Sequence, residues 1–134
     1  MSTNASISIK VEGKIKTISQ HWDGYPDWTG KKLLKFYDTE EKVKELIELG
    51  NISILGECVG SKTDFHKFDS QKSIQCLAYG RDRGDTEQEA REYELFSENE
   101  EQKWNYLFKD GKWYMAKGSG RWTLMTQEKC KDKY

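Results

Sequence analysis

The dipeptide Asp110-Gly111, which stands between two aromatic runs, constrains the fold more than any other part of the sequence. An Asp-Gly pair in this setting is the strongest local indication of a two-residue β-hairpin turn. Such a turn predicts that Phe108 lies opposite Trp113. It also pairs Tyr106 with Met115 on the same face. We therefore expect an antiparallel hairpin with one almost wholly aromatic face.

A second hairpin is predicted near the start of the chain, where residues 7–11 alternate apolar and polar side chains. This period of two is typical of a half-buried strand. We predict a three-residue loop, Glu12-Gly13-Lys14, that places Val11 opposite Ile15, because a two-residue turn would direct two lysines to the apolar face. The second strand then leads to an aromatic segment that begins at His21.

Two helical segments are predicted, at 29–37 and at 39–49. Thr29 is a possible cap of the first segment. The pattern Asp38-x-x-Glu41 is typical of a capping box at the start of the second, and Gly50 stands where a left-handed residue ends a helix. Apolar residues at helical spacing give the second segment one apolar face, opposite a charged face that we expect to meet solvent.

The segments between the helices and the aromatic hairpin give weaker signals. A short strand or turn is expected within 52–59, and a buried strand at 74–79. Residues 86–96 favour a short helix, although the alternation of Tyr93 and Leu95 also fits a strand. The sequence leaves these two alternatives open.

Together these elements predict an α+β fold in a single domain, residues 1–134. We expect a small antiparallel sheet made by the N-terminal hairpin and by an aromatic C-terminal meander, whose third strand is 121–125. One or two helices at about 29–49 pack on this sheet, with the meander against the helix at 39–49. The tail from about residue 129 is polar, and we expect it to fray.

Charge and cysteine content exclude several classes of protein. With 22 Lys and Arg against 23 Asp and Glu, the net charge is −1, which gives no electrostatic basis for non-specific nucleic-acid binding. No apolar run reaches the roughly 18 residues of a membrane span, and the first residues do not resemble a signal peptide. Three cysteines without Cys-x-x-Cys spacing indicate neither a disulfide framework nor a zinc site. We expect a cytosolic protein without cofactor or metal.

Residues 21–28 concentrate aromatic and charged side chains in a segment that its Asp-Gly and Tyr-Pro pairs predict to be a loop. Aromatic residues in a loop either close the core or face a ligand or partner. Both interpretations stay open at this stage. The candidates for a binding surface are His21, Trp22, Asp23, Tyr25 and Trp28.

A second informative segment, residues 80–85, sets Arg81 and Arg83 between glycines directly after a predicted strand. Two guanidinium groups on a turn that also offers backbone amides suit a phosphate or a carboxylate. The alternative is that the neighbouring Asp82 and Asp85 neutralise both arginines at the surface. The sequence does not distinguish the two.

Three motifs in the same order resemble a widespread family of short phage and prophage proteins: His-Trp-Asp-Gly-Tyr-Pro at 21–26, Ala-Tyr-Gly-Arg-Asp-Arg-Gly-Asp at 78–85 and Asn-Tyr-Leu-Phe-Lys-Asp-Gly-Lys-Trp-Tyr at 105–114. The resemblance covers most of the chain. In size and phage context the family is similar to anti-defence proteins that sequester immune nucleotides, in particular the Thoeris anti-defence group, which binds cyclic ADP-ribose isomers. The resemblance implies action in the host bacterial cytosol, and it assigns no ligand-binding residue.

We therefore predict a protein that captures a small anionic nucleotide, either a cyclic ADP-ribose isomer or a cyclic oligonucleotide, without turnover. Such a ligand needs rings for stacking and guanidinium groups for phosphate, to which Trp113 and Arg121 can contribute. We expect a homo-oligomer, since a pocket between subunits suits this ligand. The alternative is an inhibitor that covers a host defence protein with its aromatic loop. An enzyme is not predicted, because no nucleophile motif or metal-ligand spacing accompanies His21.

Overall fold

The structure, a computed structural model, describes residues 3–94 and 102–131. Over these residues the chain combines one eight-stranded sheet with short helices, none of which has the length and apolar character needed to cross a membrane. The strands are β1 (Ala5–Val11), β2 (Lys14–Gln20), β3 (Ile52–Ile54), β4 (Leu77–Ala78), β5 (Arg91–Tyr93), β6 (Trp104–Lys109), β7 (Lys112–Lys117) and β8 (Thr123–Leu124). The α-helices are α1 (Lys31–Phe36), α2 (Glu40–Glu48) and α3 (Tyr79–Arg83), with a π-helical turn at Pro26–Gly30 and 3-10 turns at Phe65–Lys67 and Lys129–Lys131.

The predicted α+β class is confirmed, but the sheet is mixed and not wholly antiparallel as predicted. Its strands follow the order β4-β3-β2-β1-β6-β7-β8. β3 pairs with the last residue of β2, and β5 pairs with the first half of β2. β1 pairs with β6 in parallel, starting at Ala5 and Trp104, and β2 pairs with β3 in parallel. The two predicted hairpins therefore lie side by side and are joined through their first strands, a pairing for which the sequence gives no local signal.

The first hairpin has a two-residue turn, so the predicted three-residue loop is wrong. Val11 pairs with Lys14, and the turn residues Glu12 and Gly13 both have positive φ, 53° and 78°. Two successive positive φ angles are typical of a type I′ turn, whose twist matches that of the flanking strands. The prediction assumed that the apolar face reaches the tip of the hairpin. In the structure Lys14 is exposed at this tip, and its amine lies 3.5 Å from the Glu92 carboxylate of β5.

The predicted register of the aromatic hairpin is confirmed. Phe108 lies opposite Trp113, and their rings meet edge to face at 5.2 Å. Tyr106 lies opposite Met115, and both residues of the Asp-Gly turn have positive φ. The third strand is also present, shortened to β8, which pairs with β7.

The helices pack on the aromatic face of the sheet. Ile7 of β1, Tyr106 of β6 and Leu46 of α2 are fully buried in one cluster there. α2 lies over β1 and β2, so the N-terminal hairpin takes the place that we predicted for the meander. The meander instead meets the helices near Tyr37, whose carbonyl accepts a hydrogen bond of 2.8 Å from Trp113 Nε1.

Both predicted helical segments are confirmed, but their start signals differ from the prediction. α2 begins after Thr39, whose hydroxyl accepts a hydrogen bond from the Lys42 N–H at 3.3 Å, so the cap lies one residue beyond the predicted one. Thr29 does not cap α1, because it is buried in the π-helical turn and donates its hydroxyl to the Asp23 carbonyl. Gly50 has a φ of 76°, as expected for a left-handed helix end.

The helix predicted at 86–96 is wrong over the part of that segment that the structure describes. Residues 91–93 form β5 instead, which pairs with β2 and occupies backbone groups that an open edge would expose. The strand alternative through Tyr93 was therefore the better one, while Leu95 lies outside the described residues. The buried strand predicted at 74–79 is shortened to β4, since α3 already begins at Tyr79.

The C-terminal tail is structured as far as it is described, contrary to the frayed end predicted from residue 129. Cys130 is fully buried in the last 3-10 turn, and its thiol lies against Gly30. Burial raises the pKa of the Cys130 thiol to about 11. The remaining predicted tail, residues 132–134, lies outside the described residues.

Candidate binding site

A polar cleft of about 460 Å³ opens where the ends of β2 and β3 approach the start of α3. It brings together residues that are far apart in the sequence, from the aromatic segment, the glycine-flanked arginine segment and the connections between them. Two of the predicted site residues lie in its wall. Its polar lining includes His21, Asn51, Tyr79, Arg83, Asp85 and Gln88.

Two stacked rings follow directly on β2. The N–H groups of His21 and Trp22 donate to the carbonyls of Ile52 and Ser53 at 3.1 and 3.0 Å, which fixes both residues against β3. Their rings stack with a centroid separation of 4.7 Å and an interplanar angle of 6°. Trp22 remains 43% exposed. The chain thus presents an accessible aromatic stack beside the cleft.

Tyr79 links this stack to α3. Its hydroxyl lies 3.1 Å from His21 Nδ1, within hydrogen-bond distance, and its N–H donates to the Asn51 carbonyl at 3.2 Å. The ring of Phe65 lies 5.5 Å from the Tyr79 ring. Tyr79 therefore connects the end of β2 with the first turn of α3 and with the loop that contains Phe65.

Arg83 supplies the cationic group of the cleft. Its guanidinium carbon lies 4.6 Å from the centre of the Phe65 ring and 4.7 Å from that of Tyr79. It also forms an ion pair with Asp85, with Nη2 to Oδ2 at 2.7 Å and Nε to Oδ1 at 3.0 Å. Hydrogen bonds from Arg83 hold the pKa of the Asp85 carboxyl below its ordinary value. Arg83 is thus held by two rings and one carboxylate.

Arg81, the other arginine of the predicted pair, turns inward and binds the main chain. Its two terminal nitrogens donate to the carbonyls of Val59 and Cys76 at 2.7 and 2.8 Å, and Nε donates to Asp82 at 2.9 Å. These bonds use the guanidinium group to join three segments of the chain. Arg81 is consequently a structural residue in this fold and does not line the cleft.

Asp82 is the buried partner of Arg81. Its carboxylate also accepts hydrogen bonds from the N–H groups of Ala78 at 2.8 Å and Thr63 at 3.0 Å. Burial alone would raise the pKa of Asp82, but the hydrogen bonds from Arg81 and from both N–H groups outweigh it, and the pKa lies below its ordinary value. This cluster anchors α3 and thereby positions Arg83.

The remaining wall depends on Asn51. Its side-chain oxygen accepts a hydrogen bond from the Ser19 N–H at 2.9 Å, and its amide nitrogen donates to Gln88 at 3.1 Å. The Asn51 N–H donates to the Gln88 carbonyl at 2.8 Å. Gly50 permits this approach, because a Cβ there would lie 2.2 Å from that carbonyl oxygen.

Tyr25, Trp28 and Asp23 shape the π-helical turn and do not line the cleft. Trp28 Nε1 donates to the Leu55 carbonyl at 3.1 Å, and the Lys32 amine lies 3.7 Å from the centre of its ring, beside a separate cavity of about 170 Å³. Tyr25 is half-buried and packs against the core. Asp23 takes a φ of 57°, which makes the turn possible. The packing interpretation describes Tyr25, whereas Trp28 lines the separate cavity.

The two predicted C-terminal site residues also lie elsewhere. Trp113 is 3% exposed in the core, so it offers no surface for stacking. Arg121 is exposed in the connection from β7 to β8, and strands β1 and β6 separate that end of the sheet from β2. Of the predicted residues, the structure brings His21 and Arg83 together in the cleft wall, and Trp22 stacks on His21.

Sequence reasoning missed Tyr79 and Phe65 as members of this site. Tyr79 stands inside the motif at 78–85, but its role depends on α3 beginning at that residue. Phe65 lies in a polar segment that has no periodic pattern. Only the folded arrangement places both rings around Arg83.

Within residues 3–94 and 102–131 no three His, Cys, Asp or Glu side chains are grouped so that they could bind a metal ion. Comparison of the chain with protein-family models, with curated proteins and with solved structures finds no match. Function therefore has to be inferred from the cleft itself.

Proposed function

We propose that the protein binds a small anionic nucleotide in this cleft and holds it without turnover. The observation that carries the proposal is that His21, whose ring stacks on that of Trp22, and the Arg83 guanidinium line the same cleft. Base stacking on aromatic rings contributes about 1–3 kcal/mol per base, and a guanidinium group is the preferred partner of phosphate. Both halves of a nucleotide thus have a matching group.

The biological setting that we propose follows the resemblance to phage proteins. In that setting the ligand is an immune signal, either a cyclic ADP-ribose isomer or a cyclic oligonucleotide, and its capture in the host bacterial cytosol lowers the free concentration of the signal. We also propose that the protein acts as a homo-oligomer. Trp22, which is exposed beside the cleft, is then available to a neighbouring subunit or to the ligand.

Calorimetric titration with cyclic ADP-ribose, cyclic di-AMP and 3′,3′-cyclic GMP-AMP tests the proposal. We expect at least one to bind, and we expect heat denaturation of the complex to release it chemically unchanged. Arg83→Gln should weaken binding about tenfold, because it removes the charged donor. Trp22→Ala should weaken it about fivefold or more through lost stacking.

Arg121→Gln is the matched control, since it removes an exposed arginine that does not line the cleft, and binding should not change. His21→Gln separates capture from catalysis: a capture protein keeps part of its affinity, whereas an enzyme that uses His21 as a base binds but loses turnover. Absence of binding across the panel would overturn the proposal. Recovery of an altered nucleotide would replace capture by catalysis.

A second candidate function is inhibition of a host defence protein, and the exposure of Trp22 favours it. Exposed tryptophans are common anchors of protein interfaces. In that case Trp22→Ala abolishes a stoichiometric complex with one host protein, while Arg83→Gln leaves the complex intact. Purification of such a complex without any bound nucleotide would favour this candidate over nucleotide capture.

A further inference from the structure

The cationic group on which the proposed function rests is already engaged. Asp85 occupies one edge of the Arg83 guanidinium, with Nη2 to Oδ2 at 2.7 Å and Nε to Oδ1 at 3.0 Å. A carboxylate and a phosphate group use the same pair of donors in the same geometry. An anionic ligand that reaches this edge of Arg83 therefore has to compete with Asp85.

Groups other than Asp85 also hold Arg83. The rings of Phe65 and Tyr79 hold the guanidinium group at 4.6 and 4.7 Å by cation–π contact. Tyr79 in turn is fixed by its hydrogen bonds to His21 and Asn51. The aromatic residues therefore keep a contact with the guanidinium group that does not depend on Asp85.

Asp85 has a fixed backbone, and its side chain pairs with Arg83. Its N–H donates to the Tyr79 carbonyl at 3.1 Å, which fixes the backbone after the left-handed Gly84. In the described part of the chain, its carboxylate bonds only to Arg83, and the side chain is 28% exposed. A side-chain rotation can move the carboxylate into solvent, because the side chain is partly exposed and no other described residue binds it.

We propose that Asp85 determines which ligands the cleft accepts, by acting as an internal carboxylate that a ligand phosphate must displace from Arg83. This inference rests on the proposed function and goes beyond it. An uncharged ligand gains no charge interaction with Arg83 while Asp85 is in place. When a diphosphate binds, Arg83 exchanges the Asp85 carboxylate for a partner with more negative charge. Asp85 thus lowers the affinity of the cleft for every anion. Ligands with several negative charges are then favoured over ligands with a single one.

The test compares ADP with adenosine, which lacks the diphosphate, by calorimetric titration of the wild type and Asp85→Asn. We expect Asp85→Asn to bind ADP about threefold or more tightly than the wild type, because the competing charge is gone. Adenosine binding should be the same in both. The double variant Arg83→Gln with Asp85→Asn should lose the gain for ADP, since the gain acts through Arg83.

Asp110→Asn is the matched control. It removes the same charge at the turn of the aromatic hairpin, where Asn is equally well accommodated, and it should leave ADP binding unchanged. Unchanged or weaker ADP binding by Asp85→Asn, or no ADP binding by either protein, overturns the role of Asp85. If a cyclic nucleotide of the panel still binds the wild type, the proposed function survives that result; if none binds, both fail together.

Discussion

At the scale of single residues, two neighbouring arginine–aspartate ion pairs have different roles. Arg81 pairs with Asp82, and Arg83 pairs with Asp85. Asp82 is buried and accepts hydrogen bonds from Arg81 and from two main-chain N–H groups. Asp85 is half-buried, and among the described residues its carboxylate pairs with Arg83 alone. Removal of the first should therefore affect folding, and removal of the second should affect binding.

Asp82→Asn should lower the free energy of unfolding by about 2–3 kcal/mol at pH 7, because it leaves Arg81 without its carboxylate in a largely buried site. Urea unfolding followed by tryptophan fluorescence measures this. Asp38→Asn is the control, since Asp38 forms an exposed pair with Lys42 and its loss should cost no more than about 0.5 kcal/mol. A cost for Asp82→Asn as small as that of the control would contradict the structural role.

The effect of Asp82 should also depend on pH in a defined direction. Its pKa in the folded protein lies below the value of about 3.9 that is ordinary for an unfolded chain, so the unfolded chain takes up the proton first as the pH falls. The stabilisation is complete above that value and is lost as the pH falls below it. The difference in unfolding free energy between wild type and Asp82→Asn should therefore shrink as the pH falls from about 4 to about 3, whereas a constant difference would be inconsistent with this lowered pKa.

At the scale of elements, the two hairpins depend on turns whose residues have positive φ. In the first turn, a Cβ at Gly13 would meet no atom within 4 Å. The cost of a substitution there therefore comes from the backbone conformation and not from a steric clash. Gly13→Ala should lower the free energy of unfolding by about 1 kcal/mol, because a φ of 78° is unfavourable for residues with a Cβ. Thermal unfolding by circular dichroism measures the shift.

Gly80→Ala provides the comparison for Gly13→Ala. Gly80 lies inside α3, and a Cβ there would make ordinary contacts of 3.7 and 3.8 Å. Alanine is favoured over glycine in a helix, so this variant should be neutral or stabilising. Equal destabilisation by both substitutions would mean that the turn conformation is not the cause.

The elements that could be predicted from sequence are those with local signals. The Asp110-Gly111 turn fixes the register of its hairpin by itself, and Gly50 marks the end of α2 wherever that helix packs. The turn at Glu12 and Gly13 was mispredicted, because its register depends on how far the core extends beneath the strands. The parallel pairing of β1 with β6 joins residues about a hundred positions apart, for which neither composition nor periodicity carries information.

The site residues divide in the same way into those with a local sequence signal and those whose position depends on tertiary packing. His21 and Arg83 were predicted because each belongs to a short segment rich in binding chemistry. The sequence could not tell Arg83 from Arg81, since α3 turns one guanidinium to the cleft and the other to the main chain. Trp113 was predicted as a stacking surface, but it is buried in the core cluster and bound to the Tyr37 carbonyl, and only the tertiary structure reveals this.

At the scale of the whole molecule, the reactivity of the three cysteine thiols shows whether the protein is folded. Cys58 is exposed, whereas Cys76 and Cys130 are fully buried, and burial raises the pKa of both buried thiols. A disulfide reagent such as DTNB should therefore modify one thiol of the folded protein rapidly at pH 8 and all three in denaturant. Cys58→Ser should remove the rapid phase, and rapid reaction of more than one thiol in the folded wild type would contradict the burial.

The parallel pair of β1 and β6 has a consequence for how the protein is made. Ser6 and Asn105, which are hydrogen-bonded across this pair, are 99 positions apart. While the ribosome synthesises the intervening chain, one side of β1 has no partner to receive it, and contacts between distant residues also form slowly. Completion of the sheet has to wait for residues 104–109, so a chaperone that shields the nascent N-terminal hairpin should increase the yield of native protein.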